Sequence, residues 1–167
     1  MKTRTPMTRI PFFLLFAALF LSACESEHSV KEHAGMHADD RPYVEFLNPE
    51  GQDAPGPFSD AVRVGNLLFL SGKIGNLPGT RTLVEGGIQG EAVQVMENIK
   101  ATLERWDSSL DRVVKCTVMI DDIDQWGAFN EVYTTYFPNN KPARSAFGAD
   151  GLALGAAVEV ECIATVD

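Results

Sequence analysis

The architecture of this chain is predicted by one segment near its end, Ala156-Ala-Val-Glu-Val-Glu-Cys-Ile-Ala-Thr-Val166. Side chains of a strand point to alternate faces, so this segment predicts a long strand with one apolar and one mixed face. The apolar face would carry Val158, Val160, Cys162 and Ala164. The mixed face would carry Glu159, Glu161 and Ile163.

Two amphipathic helices are predicted upstream of that strand. The first, Gly90–Trp106, places apolar residues three and four positions apart: Ala92, Val95, Met96, Ile99, Leu103 and Trp106. The second, Ile123–Phe137, has an apolar stripe of Trp126, Phe129, Tyr133, Tyr136 and Phe137. Asp122 or Asp124 is suited to cap its start, and Pro138 ends it.

The remaining elements are short strands joined by turns. They are expected at Tyr43–Leu47, Ala61–Val64, Asn66–Ser71, Val113–Ile120 and Pro142–Phe147, with a long loop over Gly72–Gly90. This order predicts an α+β sandwich in which two helices cover one face of a mixed sheet. The other face, with Phe147 and Ile163, is too apolar to stay bare, so we expect it to self-associate.

The N-terminus predicts a targeting signal. A basic segment, Met1–Arg9, precedes an apolar run, Ile10–Leu21, which is too short for a helix to span the ~30 Å hydrocarbon core. The following Leu21-Ser-Ala-Cys24 is typical of the bacterial lipobox. We interpret residues 1–23 as a lipoprotein signal peptide and Cys24 as the lipidated residue. The alternative is an ordinary signal peptide with a chance cysteine.

The anchor would place the mature protein on the periplasmic side of the bacterial cell envelope. Glu25, where an aspartate would mark retention in the inner membrane, favours the outer membrane. Residues 24–42 are polar without an apolar period, which predicts a flexible tether. Its histidines, His28, His33 and His37, match no zinc spacing, so we predict a solvated tether without a metal site. The alternative is that they bind a transition metal weakly, together with Glu32, Asp39 and Asp40. The folded domain is predicted over residues 43–167.

Composition and motifs exclude several classes of function. The 167-residue chain has a formal net charge of −9, and such acidity argues against a nucleic-acid partner. Its sequence contains no dinucleotide-binding, P-loop, HExxH, CxxC or GxSxG motif. Residues 43–167 contain no histidine, which excludes Ser-His-Asp and Cys-His mechanisms there. Cys116 and Cys162 are interpreted as buried thiols, with a disulfide or a nucleophile as alternatives.

Arg144 is the remaining candidate for chemistry. It follows a proline turn in Lys141-Pro-Ala-Arg144, at the start of a short strand. It is either a surface arginine paired with a carboxylate or a guanidinium that holds a substrate carboxylate at two points. Glu159 is expected in the neighbouring strand, where it would hold a water or face solvent.

Several segments together resemble the reactive intermediate deaminase (RidA, YjgF-like) family over residues 44–167. They are Ala54-Pro-Gly-Pro-Phe-Ser-Asp-Ala-Val62, Leu68-Phe-Leu-Ser-Gly-Lys-Ile-Gly75, Gly86-Gly-Ile88, Val113-Val-Lys-Cys-Thr-Val118, Phe129-Asn-Glu-Val-Tyr133, Pro142-Ala-Arg-Ser145 and Val158-Glu-Val-Glu-Cys-Ile-Ala164. The resemblance implies a chorismate-mutase-like fold, a homotrimer whose sheets form a central barrel, and sites in clefts between subunits. It also implies hydrolysis of 2-imino acids and their enamine tautomers to 2-oxo acids and ammonia, without cofactor.

The same resemblance implies roles for individual residues. Arg144 would bind the substrate carboxylate and Glu159 would position the attacking water. Asn130, Ser71 and Gly72 would complete the substrate site.

Three positions depart from the family pattern. Phe58 replaces a tyrosine of the substrate site, Ala146 replaces a cysteine, and Lys73 replaces a glutamine and would add a cation near the cleft. The arginine and the glutamate remain, so we expect 2-imino acid hydrolysis. The alternative is a non-catalytic envelope protein that binds small carboxylates or acts as a chaperone. The ribonuclease activity ascribed to some relatives is disfavoured by the acidic charge.

Overall fold

The computed structural model describes residues 42–49 and 57–167. The predicted signal peptide, Cys24 and nearly all of the predicted tether lie outside these residues. None of the helices in the described ranges is both long enough and apolar enough to cross a membrane.

The described residues form one mixed sheet. Its strands are β1 Val44–Leu47, β2 Ala61–Val64, β3 Leu67–Leu70, β4 Lys73–Ile74, β5 Val113–Ile120, β6 Ala143–Gly148 and β7 Val158–Thr165. The order across the sheet is β1-β2-β3-β7-β5-β6, with β4 pairing β7 beyond the end of β3. Only the β5–β6 pair is parallel. The predicted mixed sheet is therefore confirmed.

The predicted long loop is shorter than expected at both ends. The pairing of β3 with β7 is interrupted at residues 71–72 and resumes at Lys73–Ile74, which also pairs with β7. The first helix, α1, covers Gly87–Arg105 and so begins three residues before the predicted Gly90. Gly86 precedes it with a φ of 105°, a conformation that favours glycine.

The second helix, α2, covers Trp126–Tyr136 and follows a single 3₁₀ turn, Ile123–Gln125. The sequence pattern predicted one continuous helix over both elements. In the structure the Asp122 carboxylate caps the 3₁₀ turn, because it accepts a hydrogen bond from the amide of Asp124 at 3.1 Å. Phe129 and Tyr133 are buried as predicted, whereas Trp126 is 47% exposed. The predicted stripe was therefore too wide at the start of the helix.

The core lies between the two helices and one face of the sheet. From α1 it takes Ala92, Val95, Met96, Ile99 and Leu103, and from β7 it takes Val158, Val160, Cys162 and Ala164. The predicted alternation of β7 is confirmed, with Glu159, Glu161 and Ile163 on the other face. We call the face that carries the helices the covered face and the opposite one the open face.

Cys116 and Cys162 form a disulfide within the covered core. The antiparallel register of β5 and β7 places the two residues directly opposite each other, which brings their Cβ atoms close enough to bridge. The interpretation of these cysteines as free thiols was wrong, because it did not anticipate this register.

The open face is strongly apolar. Val44 and Phe46 on β1, Phe69 on β3 and Phe147 on β6 are exposed by 47%, 71%, 39% and 49%. The pairing register and strand alternation place all four on this face. An exposed apolar surface of this breadth is typical of an interface, and self-association through this face stays a prediction.

Candidate active site

Glu159 lies on β7 opposite Ile74 and packs directly over Gly72. A Cβ atom at position 72 would collide with the Glu159 carboxylate. The glycine therefore makes room for the carboxylate at the break between β3 and β4. This contact explains physically why the residue at position 72 is a glycine.

The surroundings of Glu159 raise the pKa of its carboxyl above the ordinary 4.5, first through burial and second through the nearby Glu161 carboxylate. No lysine or arginine among the described residues pairs with it. A half-buried carboxylate with a raised pKa and without a counter-ion is a stronger proton acceptor than an ordinary exposed carboxylate.

A groove of about 720 Å³ adjoins Glu159. Phe58 and Gly72 line it with Glu159, so the structure brings three of the predicted site residues together. Phe58 is 55% exposed and presents an apolar ring to the groove. Ser71 has a supporting role, because its hydroxyl donates to the carbonyl of Ser59 at 2.6 Å and fixes the segment that carries Phe58.

Lys73 is held by a buried carboxylate on the groove wall. Its Nζ contacts Asp60 Oδ1 at 2.5 Å, and Arg105 Nη1 and Trp106 Nε1 each donate to Asp60 Oδ2 at 3.0 Å. Burial alone would raise the pKa of Asp60, but these partners lower it overall. Lys73 is therefore a paired cation and not a free charge in the cleft. Sequence reasoning missed this cluster because its members lie up to 46 residues apart.

Arg144 lies on the covered face at the edge strand β6, in register with Cys116. Its guanidinium carbon lies 4.7 Å from the ring centroid of Tyr133 and 6.0 Å from that of Phe129, both on α2. No carboxylate in the described ranges forms an ion pair with it. The interpretation of Arg144 as a surface arginine paired with a carboxylate therefore finds no support in the described residues.

Two polar atoms on α2 are buried without a partner among the described residues, Asn130 Oδ1 and the Tyr133 hydroxyl. Burial raises the pKa of Tyr133 to about 12, against the opposing effect of Arg144, so its phenol stays un-ionised at neutral pH. Buried polar atoms usually have partners, and so this helix face is suited to receive further polar groups.

Arg144 and Glu159 do not meet within one chain. β5 separates β6 from β7, so the expectation that Glu159 lies in the strand next to Arg144 was wrong. Arg144 shares a row with Cys116 and Cys162 on the covered face, whereas Glu159 points to the open face. At about 4.8 Å between strands and 3.3 Å per residue, their Cα atoms are roughly 14 Å apart. Within one chain, the two side chains therefore do not converge on a common site.

This chain is similar to known proteins over most of its length. The protein family described as Endoribonuclease L-PSP matches residues 51–166. A 2-iminobutanoate/2-iminopropanoate deaminase of Mus musculus is 40% identical over 111 residues, which cover 66% of this chain and 82% of that protein.

Solved structures show the same fold. The crystal structure of yeast YEO7 superposes with a TM-score of 0.70 at 43% identity, over 75% of this chain and all of that chain. The crystal structure of Escherichia coli TdcF with bound serine gives a TM-score of 0.64 at 31% identity, over 68% of this chain and 91% of that chain.

Proposed function

Because the chain belongs to the Endoribonuclease L-PSP family, we propose that it hydrolyses small 2-imino acids and their enamine tautomers to 2-oxo acids and ammonia. The name of the mouse relative, 2-iminobutanoate/2-iminopropanoate deaminase, describes this reaction. The TdcF structure contains bound serine, an amino acid whose carboxylate corresponds to that of a 2-imino acid. The observation that carries the proposal is the pair of Arg144, free of a carboxylate partner within the described ranges, and Glu159, with its raised pKa.

In the proposed reaction Arg144 donates two hydrogen bonds to the substrate carboxylate and fixes its orientation. The protonated imine carbon is the electrophile. A water gives a proton to Glu159 as its oxygen bonds to that carbon. Glu159 then returns the proton to the nitrogen. The hydroxyl group of the adduct gives its proton to solvent water and becomes the C=O group of the 2-oxo acid, as the C–N bond breaks and ammonia leaves. This sequence requires no metal and no organic cofactor.

The test of this proposal is an assay in which an amino-acid oxidase generates the imine and the appearance of 2-oxo acid is followed. Wild type is expected to exceed the spontaneous rate. If wild type does not exceed the spontaneous rate but still binds 2-oxobutanoate, the protein is the alternative, a non-catalytic carboxylate-binding protein.

The name of the family suggests a third candidate function, RNA cleavage. The net charge of −9 opposes it, and incubation with RNA in the absence of added metal tests it.

We further propose that the domain assembles as a homotrimer through its open face. The exposed Phe46, Phe69 and Phe147 support this, as does the separation of Arg144 and Glu159 within one chain. We predict that a soluble chain of residues 43–167 has roughly three times the subunit mass by light scattering. Phe69→Glu should yield monomers, whereas Val93→Glu, at a similarly exposed position on α1, should stay trimeric. A monomeric wild type at micromolar concentration would refute the trimer.

We also propose that Cys24 is lipidated and anchors the protein in the bacterial cell envelope, on the periplasmic side of the outer membrane. The Leu21-Ser-Ala-Cys24 motif supports this, and so does the Cys116–Cys162 disulfide, since disulfides persist mainly outside the cytosol. Cells fed a labelled fatty acid should label the wild type and not Cys24→Ser, while Cys116→Ser keeps the label. Label that persists in Cys24→Ser would sink the idea, and membrane fractionation would assign the leaflet.

A further inference from the structure

Building on the proposed function, we propose that Tyr133 is a positioning residue, whose ring holds the Arg144 guanidinium in place to receive the substrate carboxylate. Tyr133, a residue of the apolar stripe of α2, would thus contribute to substrate binding. The sequence pattern alone assigns Tyr133 only to the core.

The geometry supports a contact through the face of the ring. The guanidinium carbon of Arg144 lies 4.7 Å from the Tyr133 ring centroid, within the range of cation–π attraction. The ring is only 4% exposed, so this attraction is only weakly screened by solvent. Phe129 is more distant, at 6.0 Å, and therefore contributes less.

A ring is a suitable support because it accepts no conventional N–H···O hydrogen bond. Arg105 in the same chain shows the contrasting case, since its guanidinium donates to Asp60 at 3.0 Å. A carboxylate support of that kind would compete with the substrate for Arg144. A cation–π contact immobilises the guanidinium and leaves its N–H groups for a second carboxylate.

Tyr133 is itself held rigidly. Its ring lies between those of Phe129 and Phe137, with centroid distances of 5.4 Å and 4.9 Å. The three rings belong to one buried cluster. The rings thus fix the Tyr133 side chain, and Tyr133 in turn fixes Arg144 on the adjacent strand.

The test compares ring removal with two matched changes in the detergent-solubilised full chain. Tyr133→Leu removes the ring beside Arg144, and Tyr133→Phe keeps the ring and removes the hydroxyl. Phe137→Leu removes a neighbouring ring that contacts Tyr133 at a tilt. Each variant is assayed for kcat and KM, and its affinity for 2-oxobutanoate is measured by titration calorimetry. Thermal unfolding confirms that each folds, and Tyr133→Met replaces Tyr133→Leu if the latter does not.

We expect Tyr133→Leu to raise KM and the Kd for 2-oxobutanoate about 3- to 30-fold, with kcat within about twofold of wild type. Phe137→Leu removes only one of the two rings that flank Tyr133, so it should raise both constants by less than Tyr133→Leu does. Tyr133→Phe keeps the ring beside Arg144 and should raise them least. The proposal is overturned if Tyr133→Leu binds like wild type, if Phe137→Leu weakens binding equally, or if Tyr133→Phe is as weak as Tyr133→Leu. If no variant turns over imine, the proposed function fails, while the calorimetric comparison still decides the role of Tyr133.

Discussion

Arg144→Lys is expected to lower kcat/KM for 2-imino acids by about 10- to 150-fold. Lysine keeps the positive charge but loses the planar fork that binds a carboxylate at two points. A charge-assisted hydrogen bond of this kind contributes about 1.5–3 kcal/mol, and each 1.4 kcal/mol corresponds to a factor of ten. The measurement is steady-state release of 2-oxo acid from imines generated in situ.

Arg112→Lys is the matched control for that substitution. Arg112 forms a two-point contact with the Asp167 carboxylate, at 2.8 Å and 2.7 Å, on an exposed surface. The same chemical change there should leave turnover unaltered, since surface ion pairs contribute little. Full activity in Arg144→Ala would remove Arg144 from the reaction.

Glu159→Gln is expected to lower kcat by about 100-fold or more while changing KM little. The amide fills the same space over Gly72 but accepts no proton, so the attacking water loses its base. An effect on kcat separates this role from that of Arg144, which acts on binding. A Glu159→Gln variant whose kcat equals that of wild type would show that another group activates the water.

The pH profile tests the same role. Only the ionised Glu159 carboxylate accepts a proton, so kcat/KM should fall as pH decreases through its raised pKa, above the ordinary 4.5. Glu161→Gln removes one cause of the raised pKa of Glu159. We expect it to move the acidic limb of the kcat/KM profile to lower pH without changing the plateau. The shift will be partial because burial is the larger cause. An unmoved limb would mean that another group sets the profile.

The sequence predicts most of the fold because its periodicities are strong. The alternation of β7 and the three- and four-residue steps of α1 each have one consistent interpretation, and both were confirmed. Element ends were predicted less well, because they depend on local contacts. The Asp122 cap that separates a 3₁₀ turn from α2 is one such contact.

The sequence identifies residues of the candidate site but does not predict how they are placed relative to each other. The resemblance identifies Arg144 and Glu159, but no local pattern predicts that β5 lies between their strands or that they occupy opposite faces. The Asp60 cluster was missed for the same reason, and the Cys116–Cys162 disulfide was only the alternative to buried thiols, since both join residues distant in sequence. Pairing register is a tertiary property, and single-strand patterns specify only which face is buried.

We propose that Arg144 of one subunit and Glu159 of another act on the same substrate. The test mixes Arg144→Ala and Glu159→Gln chains in equal amounts, with unfolding and refolding to exchange subunits. Each variant alone should be nearly inactive. Random assembly would pair an intact arginine with an intact glutamate in about a quarter of the sites, and the mixture should recover about that share of wild-type activity. A mixture no more active than its two components would contradict the shared site.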